Sequence, residues 1–167
     1  MARVALRVPS PLPPAACWER LVDARVHTAA VPLTRVRADG DTFGRPGATL
    51  VARTALGPVG FDDPMTVDVA DGHRLHLRKR GRVVRGWVRA TVTPAPDGAP
   101  GRAGGRAAGR AAGRAAGGSP GPTAGGSVVA WEQEITVAGV PRVLDPVVGA
   151  VAARAYAAAL RAIVTPR

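Results

Sequence analysis

The feature that most constrains this chain is a low-complexity segment, residues 99–126, built almost entirely from glycine, alanine, arginine and proline. It follows the hairpin-turn signal Asp97-Gly98 and separates two strand-like runs, residues 83–93 and 127–137. The segment has no large apolar side chain to bury, and each recurring glycine disfavours a helix by about 1 kcal/mol relative to alanine. We therefore predict a disordered loop, inserted between the last two strands of a single domain that spans residues 1–167.

The rest of the chain is predicted to form strands separated by glycine-containing turns. In the first of them Val4, Leu6 and Val8 alternate with more polar positions, which is typical of a half-buried strand. Pro13-Pro14 then opens a short helix, and a second short helical piece covers residues 25–31. Strands at this spacing favour an antiparallel meander. The seven predicted strands are residues 3–8, 33–38, 48–56, 59–69, 73–79, 83–93 and 127–137.

The C-terminal segment is predicted to be one long helix. Asp145 is the candidate N-cap, and Pro146 suits the first helical position. Arg154 and Arg161 fall on the outer side of the helix, opposite an inner face with unusually small side chains. A helix with such a face can leave a void against a curved sheet. The inner face contains Val148, Gly149, Ala152, Tyr156, Ala159, Leu160 and Ile163.

Charge and cysteine content restrict the cellular setting. The formal net charge is +11, which attracts acidic surfaces but says nothing about the fold. The single cysteine, Cys17, cannot form an intramolecular disulfide, and we interpret it as a buried helix residue. The N-terminal residues show no apolar run of the signal-peptide kind, and Arg154 and Arg161 interrupt the longest apolar stretch. We expect a cytoplasmic protein without a membrane span.

Several residues invite a catalytic or metal-binding interpretation. His73 and His76 have an odd spacing, which places them on opposite faces of a strand, so we expect solvated histidines and no metal or other cofactor. Asp62 and Asp63 diverge for the same reason. Asp63 shares a face with Phe61 and is either a polar group of a cavity or, as we favour, a turn residue before Pro64.

A basic run lies on the fifth and sixth predicted strands and the turn between them. We expect it to form a solvated outer face, with Arg85 and Arg89 paired to Glu132 and Glu134 across the sheet and Trp87 covered by arginine side chains. The alternative is a surface for anions or nucleic acid. The run comprises Arg74, Arg78, Lys79, Arg80, Arg82, Arg85 and Arg89.

The inner faces of the sixth and seventh predicted strands are apolar except for Gln133. A buried amide needs hydrogen-bond partners. Tyr156 on the terminal helix, a ligand or a water molecule would each provide one, so a structural role and a ligand contact remain equally open for both residues.

This order of elements resembles the START-like, or SRPBCC, superfamily of polyketide cyclase/dehydrase type. The matching pieces are the first strand, the helix around Ala16-Cys17-Trp18, the strand containing Pro64, the hairpin between Trp87 and Trp131, and the final helix. The resemblance covers nearly all of the chain except residues 99–126. It implies a helix-grip α+β fold, in which a seven-stranded antiparallel sheet wraps around a long C-terminal helix and encloses a cavity for a hydrophobic or amphipathic molecule. Some members of such families are cyclases, and others carry lipids.

We therefore predict binding of a small hydrophobic or amphipathic ligand between sheet and helix, with Gln133 and Tyr156 orienting its polar head. A cyclase or aromatase that uses Tyr156 as acid or base is the first alternative, and a nucleic-acid binder that uses the basic run is the second and weaker one. Oligomeric state is left open. The predicted lining residues are Leu50, Met65, Val67, Leu75, Leu77, Val88, Trp131, Gln133, Tyr156 and Leu160.

Overall fold

A computed structural model describes residues 1–96 and 125–165. The predicted loop falls almost wholly outside the described residues; of residues 99–126, only Gly125 and Gly126 lie inside them. The chain is close together on the two sides of the insert, because Ala95 N–H donates a hydrogen bond to the carbonyl of Gly126 at 2.9 Å. The strands on either side of the insert pair with each other as far as Pro94 and Ser127.

Seven strands and three α-helices make up the described part of the chain, in the order predicted. The helices are α1 (Pro14–Leu21), α2 (Ala24–Ala30) and α3 (Asp145–Val164). The strands are β1 (Ala2–Ser10), β2 (Thr34–Ala38), β3 (Thr49–Leu56), β4 (Val59–Ala70), β5 (Arg74–Arg80), β6 (Val84–Pro94) and β7 (Ser127–Val137).

All seven strands form one antiparallel sheet in the order β1-β7-β6-β5-β4-β3-β2. Strands β2 to β7 form a meander, and β1 pairs with β7 at one edge of the sheet. The pairing of β4 with β5 shifts between Val67 and Val69, a β-bulge that increases local twist and bends the sheet. The predicted helix-grip architecture is confirmed.

Local signals explain the helix starts. Pro14 occupies the first turn of α1, where a missing N–H removes no helical hydrogen bond. The Asp23 side chain caps α2, because its carboxylate accepts from the backbone N–H groups of Arg25 at 2.7 Å and Val26 at 3.4 Å. The predicted N-cap of α3 is one residue off: Asp145 is already helical, and its carboxylate pairs instead with the amino group of Met1.

Helix α3 packs along β1 and reaches α1 and α2. Its C-terminal end is fixed by two hydrogen bonds: Ser10 Oγ donates to the Val164 carbonyl at 2.7 Å, and Arg20 Nε donates to the Ile163 carbonyl at 2.6 Å. Every residue of the predicted inner face of α3 is half-buried or buried, whereas Arg154 and Arg161 are exposed. The segment Arg142–Val164 is long and apolar enough to cross a membrane by length and composition alone, and the core helices of other proteins satisfy the same criterion.

Candidate ligand pocket

A pocket of about 500 Å³ lies between the inner face of the sheet and α3. Residues of β2 to β7 form one wall, α2 contributes His27, and α3 forms the opposite wall through Val148, Ala152 and Tyr156. The small side chains of α3 leave this space because they do not reach the sheet. The volume is in the range of pockets that hold small molecules.

The pocket opens along the N-terminal half of α3. Val147 and Val151 line it and are nevertheless 59% and 63% exposed, so their side chains stand at the boundary between pocket and solvent. Farther along the helix, Ala159, Leu160, Ile163 and Val164 are buried, so the pocket is closed toward that end. The insert joins the sheet near Pro94 and Ser127, beside this closed end.

The structure divides the ten predicted lining residues into two groups. Val67, Gln133 and Leu160 are buried but do not line the pocket. The other seven are brought together around the pocket: Leu50, Met65, Leu75, Leu77, Val88, Trp131 and Tyr156.

Gln133 forms a contact with Trp131, which was not among the three partners considered from the sequence. Its Oε1 accepts a hydrogen bond from Trp131 Nε1 at 3.3 Å, and its Nε2 has no partner among the described residues. Tyr156 instead stacks on Trp131, with ring centroids 6.0 Å apart. The prediction that Gln133 orients a ligand head therefore has no geometric basis, since Gln133 is not on the wall.

Two charged residues that the sequence analysis did not place in the site do line the pocket. Asp63 and Lys79 are 6% and 7% exposed, and Lys79 Nζ donates to Asp63 Oδ2. Burial raises the pKa of the Asp63 carboxyl, and the adjacent Lys79 ammonium opposes that rise. The favoured interpretation of Asp63 as a turn residue is wrong, because it lies within β4 opposite Ala52 of β3.

The outer face of the sheet carries Arg74, Arg78, Arg85 and Arg89 of the basic run, as predicted, and Arg82 lies in the turn between β5 and β6. Trp87 is covered there by Arg89, whose guanidinium carbon lies 4.7 Å from the ring centroid. Arg89 lies opposite Glu132 in the pairing of β6 with β7, whereas the other predicted partners differ: Arg85 Nε donates to the Gly81 carbonyl at 3.3 Å, and Glu134 accepts from Arg3 at 2.7 Å. The other ion pairs here are Arg74 with Asp71 and Arg78 with Asp68.

The candidate metal ligands stay apart. His73 is exposed, and the nearest carboxylate to His76 is Asp68, at 3.8 Å from Nδ1. Across residues 1–96 and 125–165, no three histidine, cysteine or carboxylate side chains are grouped to hold a metal ion. Cys17 is fully buried in α1, as expected.

His27 is a titratable pocket residue that the sequence analysis did not single out. Its Nε2 donates to the Leu21 carbonyl at 2.7 Å, and its ring meets Phe43 edge-on at a centroid distance of 5.4 Å. Burial lowers the pKa of His27 below its ordinary value of 6.5. The folded protein therefore holds this imidazole neutral at pH values where the unfolded chain protonates it.

We expect acid to destabilise the protein through His27. Because the folded state binds fewer protons than the unfolded state below about pH 6.5, stability falls as pH decreases, by at most about 1.4 kcal/mol per pH unit. Urea unfolding between pH 5 and 7 measures this slope. His27→Gln removes this contribution, whereas the exposed control His73→Gln retains it. Equal slopes in the two variants would show that His27 is not responsible.

Comparisons with known proteins agree with this architecture. The chain is similar to a START superfamily protein from Mycobacterium smegmatis, with a TM-score of 0.63 and 12% identity over 98% of this chain and 94% of that one. The protein TTHA0849 from Thermus thermophilus also gives a TM-score of 0.63, at 12% identity over 96% and 93% of the two chains. Ara h 8.0201 gives 0.58, at 13% identity over 96% of both chains.

The chain therefore has a START-like helix-grip fold. At these identities the likeness concerns the fold alone. No family model and no curated protein matches the sequence. What the pocket holds must accordingly be argued from its own residues.

Proposed function

We propose that this protein binds a small hydrophobic or amphipathic molecule in the pocket between the sheet and α3. The observation that carries the proposal is a space of about 500 Å³ with a largely apolar wall, in a fold that in general holds ligands. Apolar walls supply most of the affinity by removing ligand surface from water, and a few polar groups set orientation. In this pocket Tyr156, Asp63 and Lys79 are such groups.

The exposed residues at the mouth support entry of an apolar molecule. Val147 and Val151 present apolar surface both to solvent and to the pocket. We therefore propose that the ligand enters along the N-terminal half of α3. We also propose, from the sequence, that the protein is located in the cytoplasm.

Filling the pocket is expected to abolish binding. Ala152 lies on the pocket wall, so Ala152→Phe places a ring in the space that the ligand would occupy. We expect the affinity for the neutral apolar dye Nile red to fall at least about tenfold, which corresponds to about 1.4 kcal/mol. A fluorescence titration of wild type and variant measures this change.

The matched control is Ala158→Phe. This residue lies on the exposed side of the same helix and outside the pocket wall, so the substitution has the same helix propensity cost but leaves the space unchanged. We expect wild-type affinity for Nile red. Equal weakening by the two substitutions, or no dye binding by the wild type, would contradict the proposal.

A cyclase or aromatase type of activity is the second candidate. The specific observation in its favour is the Asp63–Lys79 pair, which places two titratable groups on the same pocket wall as Tyr156. Tyr156→Phe distinguishes the two functions: a binding protein shows no turnover in either form, whereas an enzyme that uses this hydroxyl loses turnover.

A further inference from the structure

A second cavity lies at the β2 edge of the sheet. It is a cleft of about 620 Å³, lined by the end of α2, the loop after it and the strands β2 and β3. No carboxylate lines it among the described residues. We call it the arginine cleft, because its wall combines Arg35, Arg37 and Arg53 with the apolar residues Pro32, Leu33 and Ala55.

The three arginines point away from the ligand pocket. Val36 and Ala52, their neighbours along β2 and β3, line that pocket on the inner face of the sheet. Successive side chains of a strand alternate between the two faces, so Arg35, Arg37 and Arg53 share the outer face. The arginine cleft is therefore a site separate from the ligand pocket.

Like charges face each other in the arginine cleft. Arg35 is paired directly with Arg53 across the two strands, and such partners have Cβ atoms about 5 Å apart. Arg53 donates to Asp62 at 3.1 Å, whereas neither Arg35 nor Arg37 forms an ion pair within the described part of the chain. Opposed like charges destabilise a sheet, and an anion bound between them removes that cost.

Leu33 combines a strained backbone with an exposed apolar side chain. Its φ of +61° lies in the left-handed region, where no other non-glycine residue of the described ranges is found. The side chain is 61% exposed, so the strain is not compensated by burial. The residue is held in place by the backbone, because Ala55 N–H donates to the Leu33 carbonyl at 2.9 Å. Strain of this kind is concentrated at functional sites, and folding alone does not account for a leucine here.

The backbone of β2 is already partly occupied beside the arginine cleft. Val36 N–H donates to Thr28 Oγ1 of α2 at 2.9 Å, so the helix covers the edge of the strand at this point. An added strand cannot pair with Val36 there. A ligand of the cleft must therefore be recognised by side chains.

Charge balance indicates the class of ligand. Three guanidinium groups and the Asp62 carboxylate leave a net charge of +2 at the arginine cleft. A phosphate monoester carries a charge of about −1.5 to −2 at pH 7, and its oxygens match the planar fork of a guanidinium group. A carboxylate or a sulfate ester carries one negative charge and neutralises only half of the net charge.

We propose that the arginine cleft binds a phosphate monoester whose organic part is apolar. The phosphate lies between Arg35 and Arg53 with Arg37 beside it, and the organic part contacts Leu33 and Pro32. This inference concerns a second site and does not rest on the proposed function of the ligand pocket.

Three anions test the ligand class by calorimetric titration at low salt. Phenyl phosphate carries both features, phenyl sulfate has the same shape with one negative charge, and inorganic phosphate lacks the apolar part. We expect phenyl phosphate to bind at least about tenfold more tightly than phenyl sulfate, because it places a second charge among the arginines. We expect it to bind at least about threefold more tightly than inorganic phosphate, because the ring covers apolar surface.

Arg35→Gln is expected to weaken phenyl phosphate binding at least about tenfold, since it removes a charge-assisted hydrogen bond. The matched control is Arg7→Gln. Arg7 is exposed on β1, at the opposite edge of the sheet, so its substitution changes the net charge equally without touching the cleft. We expect wild-type affinity in this control. Equal weakening by the two substitutions would show attraction by net charge alone and would overturn the inference.

Leu33→Asn tests the role of the strained residue. Asparagine adopts the left-handed conformation more readily than leucine, so stability against urea should not decrease. The affinity for phenyl phosphate should fall to that for inorganic phosphate, because the apolar contact is lost. Loss of stability with unchanged phenyl phosphate affinity would show that Leu33 has a structural role and no part in binding, and would overturn its place in the site.

The phosphate could belong to a soluble ester or to a lipid head group, and a sedimentation assay separates the two sources. Vesicles of phosphatidylcholine and phosphatidate that retain wild type but not Arg35→Gln would assign the site to a lipid phosphate. Binding of phenyl phosphate without vesicle binding would assign it to a soluble ester. Failure of the wild type to bind phenyl phosphate would overturn the inference, whereas Nile red titration tests the proposed function of the other pocket independently.

Discussion

The substitution Lys79→Met is expected to lower the free energy of unfolding by about 3–5 kcal/mol. The reason is the carboxylate that it leaves behind. Asp63 is 6% exposed and its Oδ1 already lacks a partner among the described residues, so without Lys79 the folded protein holds a buried charge with no compensating group. Urea unfolding followed by tryptophan fluorescence measures the loss.

The same substitution has a predictable pH dependence. Burial already raises the pKa of Asp63, and removal of the Lys79 ammonium takes away the interaction that opposes this rise. The folded variant therefore binds a proton that the unfolded chain releases above about pH 4, so its stability falls as pH increases through this window. The effect on stability is opposite in sign to that of His27.

The double variant Asp63→Leu/Lys79→Met separates charge from packing. Replacing a buried ion pair by apolar side chains of similar size is often neutral or stabilising. We expect it to recover most of the stability lost in Lys79→Met, and the difference between the two variants to increase with pH. A double variant as unstable as the single one would show that Lys79 contributes through the packing of its side chain and not through its charge.

The sheet and the terminal helix were predictable because periodicity reports which face of an element is buried. Residues 127–137 alternate along their whole length, and the observed β7 has the same bounds. The outer and inner positions of β6 follow from the same alternation: Val88, Ala90 and Val92 are buried. In α3 the small inner residues indicated a space against the sheet from the sequence alone.

The pocket's ion pair was missed although its signal was present. Lys79 continues the alternation of Leu75 and Leu77, and Asp63 shares the face of Met65. Lys79 was interpreted as part of the basic run and Asp63 as a turn residue. Both were therefore expected at the surface, where charged residues usually lie. Only the pairing of β4 with β5 shows that the two charges meet and compensate each other inside.

The boundary between pocket wall and packed interior could not be predicted from alternation. Val67, Gln133 and Leu160 all lie on inward faces, as the sequence indicated. Whether such a residue meets the pocket or another side chain depends on how α3 crosses the sheet. That crossing is set by distant contacts, such as the Ser10–Val164 hydrogen bond at the closed end, which no local pattern encodes.

Gly86→Ala is expected to destabilise the protein by more than about 3 kcal/mol. Gly86 has φ of +140°, a backbone conformation that side chains rarely adopt. A Cβ at this position would lie 1.8 Å from the carbonyl oxygen of Glu134, which belongs to the adjacent strand β7. Backbone cannot yield as a flexible side chain does, so the β6–β7 pairing, which includes the contact of Gly86 with Ile135, must shift.

Gly149→Ala is the control with the opposite expected sign. Gly149 lies inside α3, and an added Cβ would meet Ala2 Cβ at 3.7 Å, an ordinary contact. Alanine favours a helix interior over glycine, so stability should increase by up to about 1 kcal/mol. Urea unfolding of both variants gives the comparison. If Gly86→Ala cost no more than about 1 kcal/mol, the strands β6 and β7 would be less closely paired at this point than the structure has them, and the pocket wall that they form would be able to deform.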